Sequence, residues 1–123
     1  MLFRSGEPRI VSLFERWLQY SLDLRSGCVF AAAAFELDDQ PGPSRAALVR
    51  AQRDWLETLA QAARIAQKEG HFRAELDPDR FALALYGIML STHVAIRLLG
   101  DPRGREHARA NFDDLVAAAR AAR

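Results

Sequence analysis

Apolar residues recur with helical spacing along most of the chain. From Pro8 to about Leu24, Ile10, Leu13, Phe14, Trp17, Leu18 and Ser21 fall at i, i+3, i+4, i+7, i+8 and i+11. That is one wide stripe, apolar except at Ser21, with Arg9, Glu15, Arg16 and Asp23 on the other side. A short second segment, about Cys28 to Leu37, reads "CVFAAAAFEL" and has no polar face before Glu36. A helix this apolar needs cover on most sides, so it is expected to be the most enclosed of its layer. The third and longest segment runs from Pro43 to about Glu69. Leu48, Gln52, Trp55, Leu59, Ala62 and Ala66 share one face, and charged residues lie mostly opposite. The fourth, from Pro78 to Leu99, is apolar nearly all round. The fifth, from Pro102 to about Ala119, carries Phe112, Leu115, Val116 and Ala119 on one side. No alternating β-branched run and no Asn-Gly hairpin turn occurs. The pattern predicts an all-α fold of five helices with short joints.

Prolines punctuate these segments. Pro8, Pro43, Pro78 and Pro102 each stand where a helix begins, where the missing N–H is harmless and the fixed φ helps. Asp77 and Asp101 precede two of them as N-caps. In "FELDDQPGPSRAAL" Pro41 helps end the alanine helix, Gly42 lets the chain turn and Pro43 starts the long helix. This stretch predicts a rigid joint, with Asp39 serving the N-terminus that follows.

Composition narrows the class. A chain of 123 residues, 50% hydrophobic and 27% charged, fits one globular domain. A net charge of +1 predicts no electrostatic footprint on nucleic acid or an anionic membrane. Cys28 is the only cysteine, so an intrachain disulfide is impossible and a reduced, cytoplasmic setting is expected. The first residues lack the apolar core of a signal peptide. The longest uncharged run, Phe81 to Ile96, is shorter than the ~20 residues of a membrane span, so no membrane role is expected.

Catalytic patterns are scarce. His71, His93 and His107 fall in a loop, a buried helix and a surface helix, with no two at metal-ligand spacing. No HExxH, CxxC, GxSxG or phosphate-binding loop occurs. The expectation is no enzyme, no catalytic residue, no metal and no cofactor; a small helical enzyme would need Glu36 and His93 as an acid–base pair. Arginines are interleaved with acids and form no basic cluster with aromatics. A binding cavity or surface remains. Phe14, Trp17, Phe30, Phe35, Trp55 and Tyr86 fall on inward faces, and each taken singly reads as core. Tyr20, Gln52, Tyr86 and His93 are polar or amphipathic residues on or beside apolar stripes, and Tyr86, Met89 and His93 share one face at i, i+3 and i+7. Gly87 and Ser91 permit close approach of another helix. A second copy, pairing through the last two helices as a four-helix interface, is the natural cover.

The ordered set of features then resembles a known family. The "GC" that opens the small-residue helix, the acid-acid-x-Pro-Gly-Pro turn and the long Trp-bearing helix come first. "EG.FR.ELDP..FA", "ML..H...RLLGD" and a final amphipathic helix follow. Together, from about Pro8 to Ala119, these resemble the C-terminal regulatory domain of TetR-family transcriptional repressors. The resemblance implies a five-helix orthogonal bundle that binds a small apolar or amphipathic ligand and forms a homodimer. It implies that residues 1–123 form a single regulatory domain and that operator DNA is read by an N-terminal helix-turn-helix domain absent from this chain. Ligand binding would relieve DNA binding by that head. By helix location, Phe14, Trp17, Phe30, Trp55, Leu59, Tyr86 and Met89 are expected to line the pocket, with His93, Gln52 and Tyr20 as polar contacts. Leu90, Val94, Leu98, Phe112, Leu115, Val116 and Ala119 are expected at the dimer face. The alternative reading is a helical oligomerisation module with a filled core and no ligand.

Overall fold

The computed structural model describes residues 5–21, 39 and 41–122, with backbone alone at 20 and 21. Within them the protein is all-α. Helix α1 spans Glu7–Arg16 and continues as a wide π-helical turn, Trp17–Ser21. Helix α2 is Pro43–Lys68, α3 is Pro78–His93 with a π-helical end at Val94–Leu98, and α4 is Gly104–Ala119. Among the described residues the only β pairing is one isolated bridge, Phe72 with Arg120. The expected helix at 28–37, with Cys28, Phe35 and Glu36, lies outside the described residues, so the fifth helix and the Glu36–His93 pair stay expectations.

The prolines act largely as expected. Gly42, at φ 139°, turns the chain ahead of Pro43, and no side chain caps α2. Asp77 caps α3 by accepting from the backbone N–H of Asp79 and Arg80 at 3.0 and 3.3 Å. Asp77→Ala is therefore expected to lower stability by about 1 kcal/mol; an unchanged melting temperature would contradict that role. The same dipeptide behaves differently at Asp101-Pro102. Asp101 accepts from Arg103 N–H at 2.9 Å, but the α-helix starts two residues later, at Gly104. A Cβ at Gly104 would lie 2.5 Å from Ile96 Cγ1, so the helix begins where the backbone meets the end of α3 most closely.

One core joins these helices. Phe14 of α1 lies fully buried, and its ring stacks on Phe112 of α4 with centroids 4.2 Å apart and planes 4° apart. Ile10, Trp17 and Leu18 complete the buried stripe of α1. Helix α2 presents Leu59 and four alanines, Ala60, Ala62, Ala63 and Ala66, whose small side chains let α1 and α3 pack closely. Phe81, Ala82, Leu85 and Met89 form the buried side of α3, which packs on both α2 and α4. With its π-helical end this helix runs Pro78–Leu98, 21 residues. By length and composition alone that is enough to cross a membrane, but a core helix passes the same test, so this does not conflict with the expectation of no membrane role. Only 28% of its most apolar stretch is buried.

The α2–α3 loop is pinned from several directions. Phe72 is buried against Phe81, centroids 5.2 Å apart. The Gln67 side-chain amide donates to the carbonyls of Arg73, Ala74 and Leu76 at 3.1, 3.2 and 2.8 Å. The loop then meets both ends of the bundle. Glu7 N–H donates to His71 Nδ1 at 3.1 Å, and Ser5 Oγ donates to Glu69 Oε1 at 2.5 Å. Ala121 N–H donates to His71 O, and Arg73 N–H to Ala119 O, both at 2.9 Å. Arg120 closes the group with a two-pronged bond to the Glu7 carboxylate, 2.8 and 3.1 Å.

Candidate functional site

The half-buried faces of α2 and α3 hold the polar residues that the sequence placed inward. On α2, Gln52 and Trp55 stand one helical turn apart, both partly covered, on the side where Leu59 is fully buried. On α3, Tyr86, Met89 and His93 occupy one face across two turns. The Tyr86 hydroxyl donates to Gln52 Oε1, so the two helices meet here through a polar contact. His93 is different. Its Nδ1 is enclosed and has no hydrogen-bond partner. Burial, helped by the nearby charge of Arg97, holds the His93 pKa below the ordinary value and favours the neutral imidazole. Thr92, also buried, meets its own need by donating to Ile88 O at 2.6 Å.

The other expected lining residues divide by depth. Phe14, Leu59 and Met89 are closed off within the core, and Trp17 nearly so. Trp55 and Tyr86 pack against that core while keeping part of their surface outside it. The Tyr20 side chain and Phe30 lie outside the described residues. The structure thus brings Gln52 into contact with Tyr86 and sets His93 on the same face of α3 as Tyr86. Phe14, by contrast, is turned towards Phe112.

The expected dimer residues also divide. Leu98 is 77% exposed, and Leu90, Val94 and Leu115 are partly covered, so each retains surface for a partner. Phe112, Val116 and Ala119 are buried within this chain, Phe112 against Phe14 of α1, because an amphipathic helix this size has a single apolar side and the bundle's own core takes it. What α4 leaves outside is polar or small: Asn111, Asp114 and Ala118 are exposed. Residues that sequence reasoning passed over include Leu83, 62% exposed on the open side of α3. Its place one turn before Gly87 was the available signal. Between α3 and α4 on their outer side runs a groove of about 310 Å³, lined in part by Phe81, Ala84, Leu115 and Ala118. Among the described residues no cluster of His, Cys, Asp or Glu has the makings of a metal site.

The described chain thus has a Pro-Gly-Pro turn before its long helix, a loop "EGHFRAELDP" pinned by Gln67 and by both ends of the bundle, and a terminal helix pair. Residues 6–112 match the family described as tetracyclin repressor-like, C-terminal domain. The chain belongs to that family, whose setting is transcription regulation. No individual curated protein matches it significantly.

Proposed function

We propose that this domain senses a small apolar or amphipathic molecule and pairs with a second copy of itself. Through that pair it controls operator binding by a helix-turn-helix head outside this chain, in the cytoplasm. The observation that carries the reading is α3, apolar nearly all round yet, among the described helices, packed mainly by α2 and α4. Leu83, Gly87, Leu90, Val94 and Leu98 remain on its open side. Apolar surface of this extent favours association when a complementary face is present. Small residues at the centre and larger ones at the flanks suit a close helix–helix crossing. The polar points Gln52, Tyr86 and His93 support a ligand site between α2 and α3, since such sites combine apolar walls with a few placed polar groups.

Gly87 offers a clean test of pairing. A Cβ there would meet nothing within 4 Å, so a large residue fits the single chain without strain. Gly87→Arg is expected to keep the helical circular dichroism and melting behaviour of an isolated protomer while shifting sedimentation from dimer to monomer. A wild-type chain that sediments as a monomer at micromolar concentration, or a variant that still pairs, would count against this surface. For the ligand, thermal shift with a broad set of apolar compounds should find stabilising molecules.

The filled-core module draws on one observation, the close Phe14–Phe112 stack. It predicts no stabilising compound and equal penalties for emptying Phe14 or Trp55.

A further inference from the structure

The face of α3 that carries Tyr86, Met89 and His93 holds two polar points with opposite fortunes. Tyr86 has Gln52 as a hydrogen-bond partner. His93 Nδ1, two turns further on and about 10.5 Å along the axis, is enclosed with none. Met89, between them, is fully buried and apolar. A buried polar atom without a partner costs the hydration it has lost, and a native structure normally supplies a protein group, a water or a ligand to it. Thr92, the residue just before it, finds a backbone carbonyl; His93 Nδ1 has no partner. No carboxylate among the described residues forms an ion pair with His93 that would hold it charged, and burial with the Arg97 charge favours the neutral ring.

The chemistry of a neutral imidazole narrows what can fill the gap. Nδ1 donates in one tautomer and accepts in the other. A hydroxyl serves either tautomer, because it both donates and accepts. A carboxylate serves only the donor form, and the burial that keeps the His93 ring neutral also disfavours an anion at the enclosed nitrogen. A hydrocarbon leaves the nitrogen unpaired. Resting on the reading of this region as the ligand site, we infer that the molecule sensed is an uncharged alcohol or phenol whose hydroxyl pairs with His93 Nδ1 and whose apolar body extends past the buried Met89 along the half-buried side of α3, towards the Tyr86–Gln52 pair.

The test uses three probes of one shape: 4-propylphenol, propylbenzene and 4-propylbenzoate, titrated calorimetrically into the whole chain. The phenol is expected to bind at least about tenfold more tightly than the hydrocarbon, a difference of about 1.4 kcal/mol, and the benzoate to bind weakest. In His93→Phe the preference for phenol should shrink to about twofold or less while propylbenzene still binds. His93→Gln, which restores a hydrogen-bonding group, should recover part of it. Should the phenylalanine variant fail to fold, the His93 imidazole ¹⁵N shifts of the wild type, recorded with and without 4-propylphenol, give the same answer. They should move with the phenol and stay still with propylbenzene. Equal affinity for phenol and hydrocarbon, a preference that survives His93→Phe, or tightest binding by the benzoate overturns this inference and leaves the ligand site standing. No binding by any of the three overturns it as well, and failure of the broad apolar screen removes the ligand site itself.

Discussion

Replacing Phe14 with alanine is expected to destabilise the domain by about 3–5 kcal/mol, the range for emptying a buried aromatic site. Phe14 has no exposed surface, lies flat on Phe112 and has Trp17 within 6.4 Å. The removed ring leaves a hole that rigid helices on several sides cannot close, so the loss includes both transfer and cavity contributions. Stacking adds to the burial of area. The comparison that gives the result meaning is Trp55→Ala. Trp55 is half-buried beside Gln52, so its removal should cost distinctly less while changing the response to bound compounds. Urea unfolding of both variants measures the difference, with an unchanged m-value required for a simple reading. Equal losses at the two positions would support the filled-core module over a ligand site.

Gly6→Ala is expected to have the second largest effect. Gly6 sits at φ 67° and ψ −144°, outside the left-handed helical well and in a region that glycine favours, where a Cβ costs roughly 1–3 kcal/mol. An added Cβ would also lie 2.3 Å from His71 Nδ1 and 2.7 Å from Glu69 Oε2. The imidazole would have to leave the Glu7 N–H that it accepts, exposing the first turn of α1, and overpacking of this kind costs about 1–3 kcal/mol. The variant should unfold at markedly lower urea. The pair Gly6→Ala with His71→Ala separates the two causes: removing the imidazole relieves the collision but not the backbone strain. The double variant should therefore lose less than the sum of the single losses. Strict additivity would show that the imidazole is not what Gly6 makes room for.

The helices were legible where local chemistry decides. Asp77-Pro78 starts α3 because an N-cap and a fixed φ act within one turn. Asp101-Pro102 has the same letters, yet α4 starts later, at the glycine that approaches Ile96; a contact across the joint decides that start. The same limit applies to faces. The stripe Phe112, Val116 and Ala119 was visible, but an apolar stripe looks alike whether a chain's own core or a second copy covers it, and here the core takes it. At the candidate site, spacing placed Tyr86, Met89 and His93 together, and Gln52 on an inward face. Their meeting across two helices, and the unmatched nitrogen of His93, depend on distances that no spacing encodes. His71 is the clearest case of a residue that sequence left in a loop. Its partner Glu7 lies 64 positions away.

That loop has a mechanical consequence. Ser5, Glu7, His71, Ala121 and Arg120 form a clasp at one end of the bundle, fastening the start of α1 to the segment that leaves α4. Ser5 is tied to Glu69 at the end of α2, and Glu7, two residues on, is tied to Arg120 just past the terminal helix. A pull or twist there is transmitted to α4 directly, without first crossing the hydrophobic interior. The start of α1 and the terminal helix are one lever, with His71 at its fulcrum.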